Sequence, residues 1–111
     1  MKLPSDTFIA PEKLHDYLLV LRPADDKSQY LALAGYTRKN WQDLERDLRE
    51  QFLTQEATES EATKYGTIYE IRDLLRGPNG KSLPVRTIWM QETATSKVKF
   101  ITLLPDKRSL S

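Results

Sequence analysis

The sequence predicts an α+β fold of three N-terminal helices packed on a three-stranded antiparallel meander. Three observations carry this. Apolar residues recur with helical spacing up to about residue 53, they alternate with period two from about residue 65, and turn-forming residues punctuate the second half. The switch in rhythm predicts one domain over 1–111, with a helical half at 1–53, a connection at 54–64 and a sheet at 65–105. Neither half carries enough apolar surface to fold alone.

Pro11 suits the first turn of a helix, where its missing N–H costs nothing. Leu14, Tyr17, Leu18 and Leu21 follow the i, i+3, i+4, i+7 rule, and Pro23 closes that helix. Asp26 is the cap expected for a second helix, with Gln29 three residues on, Tyr30, Leu31 and Ala34 on its apolar face, and Gly35 at its C′ position. Thr37 caps the third helix. Tyr36 and Trp41 stand at the staple positions, and Trp41, Leu44, Leu48 and Phe52 form one stripe. Glu45 with Arg49 and Arg46 with Glu50 are i,i+4 pairs for its wet side.

Residues 54–63 show no periodic apolar pattern and read as an exposed connection. From Tyr65 onward, Tyr65, Thr67, Tyr69 and Ile71 alternate with Ile68, Glu70 and Arg72. The run Gly77-Pro78-Asn79-Gly80 is a turn. Leu83, Val85, Thr87 and Trp89 then alternate with Arg86, Ile88 and Met90. Pro84 suggests an edge or a bulge. After a polar turn at 92–96, Val98, Phe100 and Thr102 alternate with Lys99, Ile101 and Leu103, and Pro105 closes the strand.

Composition excludes several chemistries. The 111 residues include no cysteine, so disulfides, zinc thiolates and thiol catalysis are out. No apolar run reaches bilayer length and the first residues lack a signal-peptide core, so the expected compartment is the cytoplasm, with no membrane partner. A net charge of +1 gives no long-range pull toward nucleic acid. Three glutamates without a cation in 54–63, and Lys97, Lys99, Lys107 and Arg108 against Asp106 in 97–108, make the distribution uneven.

The candidate chemistry is sparse. His15 is the only histidine and so the only side chain suited unperturbed to proton transfer near neutrality; the plainer reading is a half-exposed surface residue. One histidine and no cysteine leave only carboxylates for a metal, so no metal or other cofactor is expected. Glu70, Arg72 and Arg86 share one face of neighbouring strands. That is the pattern of a solvated charge ladder. It is also one that, with Thr87 or Thr102 and Lys99, holds a phosphodiester, the cations stabilising phosphate charge and the glutamate taking the proton of a ribose 2′-hydroxyl. The tryptophans fall on core stripes, which favours packing over base stacking.

Five segments carry a resemblance over Leu3 to Pro105. They are Lys13-Leu14-His15-Asp16-Tyr17-Leu18-Leu19, Ala34-Gly35-Tyr36-Thr37-Arg38-Lys39-Asn40-Trp41, Tyr65-Gly66-Thr67-Ile68-Tyr69, Gly77-Pro78-Asn79-Gly80-Lys81, and Ile101-Thr102 with Pro105. In their order and spacing the chain resembles a family of uncharacterised bacterial domains found alone and as C-terminal modules of polymorphic toxins. That family is similar in architecture to the barnase–EndoU–RelE group of metal-independent ribonucleases. The resemblance implies a role for Lys27, at the opening of helix two, and for Thr102 on the last strand. It departs at 21–27, where the longer loop and His-Pro pair of relatives are missing and Asp25 and Asp26 stand instead. The expected function is therefore a non-catalytic module acting on a partner, protein rather than RNA. The alternative is a ribonuclease using His15 or Glu70 as base, with Lys27, Arg72 and Arg86 on the phosphate.

Overall fold

Pro11 opens the first helical segment, as its fixed φ allows. In the computed structural model, which describes residues 1–21 and 27–106, α1 runs Pro11–Lys13 and continues as a π-turn over Leu14–Leu18. The wider turn is closed by the Leu19 N–H on the Leu14 carbonyl at 2.9 Å. It advances the chain by one residue, so Leu14, Leu18 and Leu19 are buried whereas Leu21, expected on the stripe, is 72% exposed. The helix ends expected at Pro23 and Asp26 lie outside the described residues.

The second helix is a single turn, α2 (Ser28–Ala32), without a side-chain cap. Gly35 follows at φ +96°, as a C′ glycine does. Thr37 and Asn40 form a reciprocal capping box. A 3-10 turn over Arg38–Asn40 then leads into α3 (Trp41–Gln51). Leu44, Leu48 and Phe52 are buried on the expected stripe and Trp41 packs at its rim. The Glu45–Arg49 pair forms at 3.3 Å, whereas Arg46 turns from Glu50 to Asp43 and Asp47.

The expectation of three helices on a three-stranded meander is overturned. Only the segments at 11–18 and 38–51 exceed a short turn, and the sheet has four antiparallel strands in the order β1-β2-β3-β4: Thr58–Ala62, Gly66–Arg76, Ser82–Glu92 and Val98–Pro105. The added strand, β1, lies in the stretch expected as a connection. All five of its residues are exposed, so it has no alternation to betray it.

Pro84, expected at an edge or a bulge, sits near the start of the inner strand β3, where β4 runs out at Val85↔Pro105. In β3, Leu83, Val85, Thr87 and Trp89 all point into the core as expected. In β4 a bulge opposite Ile88/Trp89 inserts one residue. Leu103 is therefore buried, and Thr102 turns to the opposite face, beside Ile88.

The helices cover one face of the sheet. Leu14, Leu18, Leu31, Leu44, Leu48 and Phe52 share one buried cluster with Ile71, Val85, Trp89, Phe100 and Leu103. At the base of the core the Tyr36 hydroxyl donates to Asp47 at 2.5 Å and lies 3.1 Å from the Arg76 carbonyl, tying α3 to the end of β2. Burial first, and then the Asp47 hydrogen bond, push that phenol well above its ordinary range.

Candidate functional site on the outer sheet face

The outer face of the sheet, away from the helices, collects Glu70, Arg72, Arg86 and Thr102, four of the six residues nominated from the sequence. Antiparallel neighbours project to the same side. The register places Glu70 beside Ile88 and Ile88 beside Thr102, one row across three strands. At the usual strand spacing, Glu70 and Thr102 stand about 10 Å apart. One step along the strands Arg72 lies opposite Arg86.

Two like charges in direct opposition repel. Glu70 relieves this by accepting from both: Arg72 Nε donates to Glu70 Oε1, and Arg86 Nε donates to the same oxygen at 3.0 Å. Partial burial alone raises the Glu70 pKa. The two arginine hydrogen bonds outweigh it and hold the carboxyl below the usual glutamate range. A carboxylate so held is a poor acceptor for a 2′-hydroxyl proton, because a general base works best with a pKa near the working pH.

The sign of the resulting pH dependence follows. A depressed folded-state pKa adds stability above the unfolded value of about 4.3, and that stability is lost as pH falls through the folded value. Glu70→Gln is therefore expected to lower the urea midpoint at pH 7, with the gap to wild type closing as pH drops below about 4. A gap that persisted at low pH would show that the carboxylate charge is not the cause.

Lys27 reaches this face from the N-cap of α2, at the β4 border. Its Nζ donates to Thr102 Oγ1 at 3.1 Å and to the Tyr17 hydroxyl at 3.2 Å, and sits 5.1 Å from the centre of the Tyr17 ring. Among the described residues no carboxylate pairs with it. The two positions singled out by resemblance, 75 residues apart, thus meet directly. The β4 bulge is what brings Thr102 round to this side.

His15 stands apart. Its Nδ1 lies 2.8 Å from Asp16 Oδ1, its ring meets Trp41 edge-on at 5.2 Å, and Arg38 donates to its carbonyl at 2.7 Å. It lines a shallow cleft of the helical layer with Arg38, Lys39 and Trp41, which shares no lining residue with the grooves of the sheet face. Its hydrogen bond to Asp16 holds that exposed carboxyl below the usual range. Thr87 is committed to the core: it donates to the Ile71 carbonyl at 3.0 Å and accepts from Trp89 Nε1 at 2.8 Å. Lys99 pairs with Glu92 at 3.3 Å. The sequence had offered both as further phosphate ligands.

Sequence reasoning missed Tyr17 as a partner of Lys27, assigning it to the core stripe. It also missed the outward apolar set of Ile68, Ile88, Met90 and Leu104, half-buried around the charged cluster. Alternation flagged the side chains of β2 and β3, but not that their outward face stays open. Among the described residues, no three histidines or carboxylates gather as metal ligands, and no helix is long and apolar enough to cross a membrane.

Comparison with known proteins gives a family and a fold. The model of a family described as Domain of unknown function (DUF6883) matches residues 2–107. A chain of a contact-dependent growth inhibition toxin–immunity protein complex from Klebsiella pneumoniae 342 superposes with a TM-score of 0.69 at 16% identity, over 90% of this chain and 100% of that one. At that identity the likeness is one of fold. Comparison with curated protein sequences finds no match.

Proposed function

The chain belongs to the DUF6883 family, and on that footing we propose that it is a toxin-associated module working by binding a partner protein on the outer face of its sheet. The observation that carries this is the Glu70 hub. One carboxylate is fixed between Arg72 and Arg86, with half-buried Ile68, Ile88 and Met90 beside it on a face the helices leave open. Preorganised arginine beside apolar surface is the make-up of an interface centre. As a catalytic base the same carboxylate is mismatched, being held ionised.

The test is a photo-crosslinking residue at position 88, with position 12 on α1 as control. The expected result is a discrete protein adduct in cells from position 88 only, lost with Arg86→Glu. Equal labelling from both positions would end this reading.

Lys27 supports a second reading, a metal-independent ribonuclease. Its charge, oriented by two hydroxyls and without a carboxylate among the described residues, suits a phosphodiester oxygen. In that reaction the ribose 2′-oxygen bonds to phosphorus, its proton passes to a base, and the P–O5′ bond breaks with protonation of the leaving oxygen. Incubation with total RNA separates the two readings. Ribonuclease action requires cleavage that chelator leaves intact and that Lys27→Ala lowers by about 100-fold. RNA left whole by the wild-type chain sinks it and leaves the binding module standing.

A further inference from the structure

The two borders of the sheet are not equivalent. Along β4, Phe8 fills the outer edge: its N–H donates to the Val98 carbonyl at 3.0 Å and its carbonyl accepts from Phe100 at 2.8 Å. Farther along β4, Lys27 is seated on Thr102. On the other border, the edge of β1 carries a strand pair only at its start. There Lys2 forms an antiparallel bridge with Glu56, and the Ala57 N–H donates to the Met1 carbonyl at 2.8 Å. From Thr58 to Ala62, no backbone partner beyond β2 stands among the described residues.

An uncovered edge is a template for another strand. Its side chains decide which strand. Glu59 lies opposite Tyr69 and Glu61 opposite Ile68, so the two carboxylates project from opposite sides of the edge. Both are exposed, and neither is paired with a cation among the described residues. Two copies meeting edge to edge would bring these acids together, and the bulge between Glu59 and Glu61 further spoils self-pairing. A guest strand with lysine or arginine at neighbouring positions meets opposite charge on both faces. Beside the edge a groove of about 460 Å³, lined by Glu56, Thr58, Ser60, Glu70 and Arg72, receives its side chains.

We propose that β1 is the docking strand for a basic, extended segment of a partner protein, added antiparallel in the line that Met1 and Lys2 begin. This rests on the partner-binding reading above and names the partner's chemistry. The groove joins the edge to the Glu70–Arg72 cluster, so one partner covers both.

The probes are a fluorescein-labelled peptide of lysine pairs separated by threonine pairs, which sets lysines on both faces of an extended strand, and its glutamate–threonine counterpart, added to the full chain. Anisotropy at low salt should show the basic peptide binding and the acidic one not. Glu59→Lys with Glu61→Lys should weaken the basic peptide by about tenfold, the worth of two exposed ion pairs, and admit the acidic one. Amide exchange across 58–62 should slow when the basic peptide is bound, because a ladder protects N–H groups and loose electrostatic attachment does not. Binding without that protection overturns the proposal, as does a chain that dimerises through β1. Loss of β1 protection while the position-88 adduct survives removes the docking strand alone; loss of the adduct removes the partner-binding reading itself.

Discussion

Trp89→Ala is expected to destabilise the chain by about 3–5 kcal/mol, the cost of emptying a large aromatic site in a packed core. Trp89 is fully buried and lies edge-on to Phe100 at 5.1 Å. Its indole N–H donates to the Thr87 hydroxyl, which in turn donates a hydrogen bond to the Ile71 carbonyl. The substitution therefore removes both volume and the donor that orients Thr87. Against a typical domain stability of about 5–15 kcal/mol, a large share of the native state's margin disappears. Urea unfolding reads it as a fall in midpoint at unchanged slope. Thr87→Val, which keeps the shape but orphans the indole N–H, should cost about 1–3 kcal/mol. A Trp89→Ala loss under about 1 kcal/mol would show that the helices do not close on β3 as described.

Gly77→Ala should be the second most damaging change for its size. A Cβ at Gly77 would stand 2.1 Å from the Ala34 carbonyl oxygen and 2.5 Å from the Ala34 Cβ. Ala34 is fully buried, so nothing there is a flexible tip that swings away. The β2–β3 turn is also bonded at this point to the end of α2: the Asn79 N–H donates to the Ala34 carbonyl at 3.3 Å and Asn79 Nδ2 to the Leu33 carbonyl at 3.0 Å. Relieving the clash means lifting the hairpin off the helical layer. Overpacking typically costs about 1–3 kcal/mol, and backbone against backbone belongs at about 3. Gly80→Ala is the matched control. It meets no atom within 4 Å but sits at φ +87°, so its cost is backbone strain alone. Equal losses at both positions would show that hairpin–helix contact contributes nothing.

These two sites also show what a single sequence reveals. The turn at 77–80 was legible as a turn because proline and glycine announce one. That Gly77 is needed for close approach to Ala34 was not, because Ala34 lies more than forty residues away. The inward set of β3 and the α3 stripe were legible, since period two and period 3.6 are local properties. The N-cap at Thr37 and the positive φ of Gly35 were legible for the same reason, whereas Asn40 as the reciprocal partner of Thr37 was not.

In the candidate site, alternation put Glu70, Arg72 and Arg86 on one face, and coordinates added that a single glutamate oxygen serves both arginines. Lys27 with Thr102 came from resemblance rather than pattern. Alternation put Thr102 on the same side as Val98 and Phe100, and the bulge turned it to the other. His15, nominated for being the only histidine but read more plainly as a surface residue, belongs to another surface.

By itself the sequence determined the α3 stripe, the three strands that show alternation, which face of α3 and β3 is buried, and where the 77–80 turn falls. Each of these depends on neighbours a few positions apart. Only the tertiary structure decided that 58–62 is a fourth strand, that the first helix widens by one residue, and that Lys27 meets Thr102. A solvated strand such as β1 buries no side chain and is held by backbone hydrogen bonds to a distant partner. Bulges and π-turns trade one local register for better packing elsewhere. Their causes act across the fold, where no local rhythm records them.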